Sequence, residues 1–188
     1  MGLNDELERA QRQVKTDTLS MSIGELASMY ENSELNINPV FQRLFRWEQH
    51  QKSKLIESIL LGIPVPPIFL FETKNGNWEL VDGLQRISTI FEFMGILRDG
   101  RSSTLRPPSS MTSTAYLPSF QNVIWESPSI EDDENLKAKS LPKTMKFEFR
   151  RARLDLQILK RPSDAHTKYD LFQRLNSGGV DCRSTGDS

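Results

Sequence analysis

A chain of 188 residues holds one domain with a sizeable core and leaves little for a second. Hydrophobic residues make up 37% and charged residues 26%, and a formal net charge of −1 excludes a polycationic nucleic-acid coat, so any DNA contact must come from a local patch. The single cysteine, Cys182, excludes a disulfide framework and a thiolate metal cluster; no run nears the roughly 20 apolar residues of a membrane span, and the charged stretch from Met1 to Lys15 is no secretory signal, so a cytoplasmic protein is expected.

Residues 1–17 read as a polar arm, with helix formers from Asn4 to Val14 making an exposed helix or a mobile segment. Ser22 is placed to cap a short helix carrying Ile23, Leu26, Ala27 and Tyr30 at helical spacing. Leu35 and Ile37 alternate with polar residues between Glu34 and Asn38, the pattern of a short strand. Pro39 then opens a loop, Val40-Phe41-Gln42-Arg43-Leu44-Phe45-Arg46-Trp47, that sets arginines among aromatics. A helix is predicted from about Glu48 to Leu61, with Leu55, Ile56, Ile59 and Leu60 as its apolar stripe and Gly62 as its stop. Pro64, Pro66 and Pro67 frame a sharp entry into the apolar run Ile68 to Phe71. Asn75-Gly76 is a hairpin signal, with Trp78 to Val81 as the returning strand. Asp82-Gly83 breaks that strand, and a second amphipathic helix follows with Ile87, Ile90, Phe91, Met94 and Leu97 on one face.

From Asp99 to Pro118 the chain is rich in Ser, Thr, Pro and Arg without periodicity, which predicts a long loop or insertion and the least ordered part of the domain. Phe120 to Trp125 reads as a short ordered element, and Glu131 to Glu134 as an acidic run. Lys137 to Arg161 carries nine Lys/Arg against two acids, and within it Leu154, Leu156 and Ile158 alternate as in a strand. The basic residues there are either the solvated faces of a helix and a strand or contacts to a phosphate backbone. A last helix, capped by Ser163 or Asp164, runs through Leu171, Phe172 and Leu175 to Asn176-Ser177-Gly178-Gly179. The pattern is α+β with a small mixed sheet.

The strand, tight turn and helix from Val81 to Thr89 is the segment richest in chemistry. A helix start leaves N–H groups and a partial positive charge that favour a phosphate, and Gly83 lets the backbone approach it closely. Arg86 can make a forked contact to phosphate oxygens, Gln85 can orient a water, and Asp82 can hold Mg²⁺ or accept a proton. Ser88 and Thr89 add hydroxyls one turn further on. The plainer reading is a common turn pair in which Asp82 caps the helix and Arg86 is a surface charge. No Gly-rich run ends in Gly-Lys-Ser/Thr, so this is no P-loop. His50 and His166 stand apart without a His-Asn-His grouping, and His166 with Asp170 reads as a surface hydrogen bond.

In this order and at these intervals, the segments resemble the GmrSD-type restriction endonuclease N-terminal domain family, related in fold to ParB and sulfiredoxin-like proteins. The resemblance rests on the loop from Pro39 to Trp47, the Leu-Ile-x-Ser-Ile-Leu-x-Gly-x-Pro run from Leu55 to Pro64, Asp-Gly-x-Gln-Arg at Asp82 to Arg86, and the helix end from Phe172 to Gly179. It covers residues 19–98 densely and 152–180 less so. Leu84 stands where the commonest family form has Gln.

The resemblance implies a ParB/sulfiredoxin-like domain over residues 18–180, a small mixed sheet flanked by helices, with a loop-rich insertion near 99–118. It further implies a nucleotide-binding, triphosphate-hydrolysing domain of prokaryotic defence against foreign DNA. Asp82, Gln85 and Arg86 would be catalytic, with Mg²⁺ on Asp82. Gly83, Arg43, Arg46, Ser88, Thr89, Arg174 and Asn176 would bind the nucleotide. The expected partners are a nucleoside triphosphate, DNA, and a partner nuclease or a missing C-terminal domain, in a monomer or an oligomer and away from membranes. The polar residues 181–188 stand where family members continue with an apolar helical segment, so a truncated end is expected. Two other readings stay open: a non-catalytic nucleotide- or DNA-binding module, or truncated remnant, that regulates a nuclease, and a ParB-like DNA-nicking domain.

Overall fold

The computed structural model describes residues 2–13, 15–37, 46–100, 102–126 and 138–160. Helix α1 (Leu3–Gln13) precedes strand β1 (Lys15–Ser22), whose first five residues are exposed. Local alternation did not announce β1, since only Leu19 and Met21 in it are apolar. It forms because it pairs antiparallel with a strand far along the chain.

Ser22 caps α2 (Ile23–Glu31) as expected, and does so in a reciprocal box. Its hydroxyl accepts from Glu25 N at 3.2 Å, and its own N–H donates to Glu25 Oε2 at 2.9 Å. The Ser22 hydroxyl, 2.6 Å from Glu25 Oε2, and the Ser22 N–H both donate to the Glu25 carboxyl and hold it below its ordinary value. β2 (Leu35–Asn36) is the short strand anticipated around Leu35. α3 (Gln49–Leu60) matches the predicted helix, and Leu55, Ile56 and Ile59 are buried along it. Strands β3 (Ile68–Glu72) and β4 (Trp78–Asp82) form the expected hairpin, with Gly76 at φ 82° in its turn. α4 (Leu84–Phe93) follows at once.

Leu97 departs from expectation. Gly95, at φ 73°, ends the helical course after Met94, so Leu97 lies beyond α4 while still buried in the core. From Ser102 to Leu117 the chain forms no helix or strand, and residues 110–117 of it are bound to α3. Gln49, Ser53 and Glu57 repeat every fourth residue on one face of α3, and each binds that segment: Gln49 Nε2 donates to Ser110 O, Ser53 Oγ accepts from Thr112 N at 2.9 Å, and Glu57 Oε1 accepts from Leu117 N at 3.0 Å. A 3-10 turn, Pro118–Phe120, then leads to β5 (Val123–Ile124), paired parallel with β6 (Lys139–Ser140).

After α5 (Lys143–Arg151) the chain returns in β7 (Arg153–Lys160), the strand predicted from Leu154, Leu156 and Ile158. The main sheet has the order β1-β7-β3-β4-β2, so the late strand β7 lies inside it, antiparallel to β1 and parallel to β3. Ile68 and Leu70 of β3, Leu80 of β4 and Leu154, Leu156 and Ile158 of β7 join residues of α2 to α5 in one apolar core. The fold is α+β with a mixed sheet, and α4 is its central helix, with every residue from Ile87 to Phe93 buried. No helix among the described residues is long and apolar enough to cross a membrane.

Candidate functional site

Between Phe69 and Leu70 the β3–β4 register shifts: Phe69 faces Asp82 while Leu70 faces Leu80, which leaves Val81 as an extra residue in β4. A bulge there re-aims the residue that follows, and that residue is Asp82. Gly83 then takes φ 100°, a left-handed conformation that glycine adopts without strain. A side chain would also collide, since a Cβ on Gly83 would lie 2.5 Å from Ile68 Cδ1. Only glycine satisfies both conditions. α4 starts on this residue with no side-chain cap, and its first intrahelical bond runs from Ile87 N to Gly83 O at 3.0 Å.

The side chains of the turn bind other parts of the chain. Arg86 Nη1 donates to Pro66 O at 2.6 Å, and Arg86 Nη2 to Asp82 Oδ2 at 3.2 Å. Burial lowers the affinity of the Arg86 guanidinium for its proton, and the Asp82 carboxylate partly opposes that effect. Gln85 Oε1 accepts from the backbone N–H of both Arg46 and Trp47, each at 3.1 Å. The start of α4 thus joins the loop end at Arg46-Trp47, the proline connection at Pro66 and the end of β4.

Arg46 is the one arginine of the aromatic loop among the described residues, and it is exposed beside Gln85. Arg43, Arg174 and Asn176 lie outside the described residues, as do His166 and Asp170. Ser88 and Thr89 correct the expectation of hydroxyls lining the site. Both are 0% exposed within the core, and neither Ser88 Oγ nor Thr89 Oγ1 has a hydrogen-bond partner among the described residues. They sit on α4 where every position is covered, so the periodicity that marked the helix as amphipathic overstated its open face. His50 is exposed, and its Nδ1 lies 3.5 Å from Glu48 Oε2.

Pro66 and Ile68 take part in the turn although no motif pointed to them. Pro66 contributes a carbonyl, which any residue has, and Ile68 a methyl group in contact range of Gly83; the Pro66-Pro67 pair was the only available signal. Among the described residues no group of three His, Cys, Asp or Glu could hold a metal. The Asp82 carboxylate, 32% exposed, fits the lesser demand of Mg²⁺, which is commonly bound through one or two carboxylates together with substrate phosphates and water. A separate open cavity of about 490 Å³, lined by Tyr30, Asn36, Asn77, Glu79 and Arg98, includes none of residues 82–86.

A family model described as the GmrSD restriction endonuclease, N-terminal domain, matches residues 23–184. The searches of curated proteins and of solved structures gave no match. The matched span takes in the capped helix, the hairpin, the Asp-Gly turn and the returning strand, and this chain belongs to the GmrSD restriction endonuclease N-terminal domain family, the restriction and defence class of proteins.

Proposed function

We propose that the start of α4 binds the phosphates of a nucleoside triphosphate together with Mg²⁺, and that the domain hydrolyses it. The observation that carries this reading is a helix beginning on a glycine with no side-chain cap. Such a start presents N–H groups and partial positive charge to an anion. Exposed Arg46 adds a cation beside it, and Asp82 supplies the carboxylate for the metal. Membership of a restriction family supports the setting, with DNA and a nuclease as the partners that triphosphate turnover would serve.

A second reading has its own support. Gln85 Oε1 and both Arg86 Nη atoms hold backbone or Asp82, so the residues assigned to turnover are engaged in structure. A module that binds a nucleotide and signals to a nuclease needs no more than this.

The two separate in one experiment on the full chain, with each of the common triphosphates and Mg²⁺. Bound ligand at a hundredfold excess over Kd stabilises the fold by about 2.7 kcal/mol, so the melting temperature rises. Hydrolysis adds phosphate release that is lost in Asp82→Ala. A melting shift without phosphate release supports the regulatory module. No shift with any triphosphate refutes the site.

A further inference from the structure

The outer face of α5 has features that the fold does not need. Phe149 anchors the helix in the core at 0% exposure. On the opposite side Lys143, Phe147 and Arg151 succeed one another at four-residue spacing, with Arg150 beside them, and all four are exposed. Phe147 is 49% exposed, and Lys143 Nζ lies 5.8 Å from its ring centroid. Lys146 is paired with Glu126 at 3.7 Å. Lys139, Lys143, Arg150 and Arg151 enter no ion pair among the described residues.

Helix energetics account for only part of this. Arg150 and Arg151 lie in the last turn, where cations favour the helix dipole. Lys143 is at the first position, where the dipole disfavours a cation, and a half-exposed Phe147 adds little to the core. What these residues suit is a ligand with anionic groups on either side of a flat apolar one.

We propose that the outer face of α5 binds single-stranded nucleic acid, with a base stacked on Phe147 and Lys143 and Arg151 meeting the phosphates that flank it. The backbone positions of Lys143 and Arg151 lie about 12 Å apart along the helix, with Phe147 midway between them. Stacking on an aromatic side chain is tolerant of sequence, and the cations provide attraction that weakens with salt. This surface is independent of the nucleotide reading of the Asp82 turn.

The test is fluorescence anisotropy of a labelled oligothymidylate with the full chain, titrated at several salt concentrations. Phe147→Ala is expected to weaken binding about tenfold and leave the salt slope unchanged. Lys143→Gln with Arg151→Gln is expected to flatten the slope by about 1.4, two phosphate contacts at about 0.7 each. Phe147→Tyr retains binding, and Asp82→Ala binds as the native chain does. No binding to the oligonucleotide overturns the proposal, as does binding that both the Phe147→Ala and the double variant leave intact. Equal affinity for duplex, indifferent to Phe147→Ala, overturns it too, and so does retention on anionic phospholipid vesicles alone.

Discussion

At the scale of single residues, Gly83 is the most tightly constrained position in the Asp82–Arg86 turn. Gly83→Ala meets two obstacles, a φ of 100° that L side chains rarely adopt and a Cβ 2.5 Å from Ile68 Cδ1. The first costs on the order of 1–3 kcal/mol. The second disappears if Ile68 is shortened. Gly83→Ala should therefore destabilise the fold by at least that amount in denaturant unfolding, and by less in an Ile68→Val background, measured as the coupling term of a double-mutant cycle. A coupling of zero would mean that the backbone conformation alone requires glycine. Sequence made this turn legible because Asp-Gly after an apolar strand has a definite physical meaning. It did not disclose what Gln85 and Arg86 hold. Apart from Asp82, their partners include the N–H groups of Arg46 and Trp47 and the carbonyl of Pro66, and backbone groups leave no mark in composition.

At the scale of elements, α3 shows how a stretch without periodicity becomes ordered. Residues 99–118 carry no apolar repeat, and a reading from periodicity alone leaves them loose. Residues 110–117 are instead held by polar groups on the helix beneath. Glu57 is 6% exposed, and its Oε1 accepts from Thr114 Oγ1, from Tyr116 N at 3.1 Å and from Leu117 N at 3.0 Å. Glu57→Ala takes the acceptor from the N–H of Tyr116 and leaves the N–H of Leu117 with Thr114 Oγ1 alone, at 3.2 Å, a loss of about 1–3 kcal/mol for a donor that stays buried. Glu57→Gln keeps a carbonyl oxygen in place and should cost less than Glu57→Ala. The denaturant midpoint should fall in that order. Limited proteolysis of Glu57→Ala should cut first within residues 109–117, because the segment is freed while α3 keeps its apolar stripe. Equal cutting of both variants would show that Met111, buried at 1% exposure, holds the segment instead.

At the scale of the whole molecule, the sheet order ties the two ends of the described chain together. β7 was legible from its alternation, and β1 was not, because β1 is an edge strand whose residues are mostly polar and whose reason for forming lies at residues 153–160. Leu156 marks the junction: it sits opposite Leu19 of β1 on one side and Ile68 of β3 on the other, at 0% exposure. Leu156→Ala should cost about 2–5 kcal/mol, the range for emptying a buried leucine site. That is a large fraction of the 5–15 kcal/mol that holds a typical domain folded. The distribution of the loss is more informative than its size. If β7 joins one cooperative unit, amide exchange in β1 and in the β3–β4 hairpin should accelerate together, by the same free energy as the global unfolding. Loss confined to β1 would mean that the hairpin and α4 form a unit of their own. The turn at Asp82 would then keep its shape while the outer sheet opened, and ligand binding there would survive the substitution.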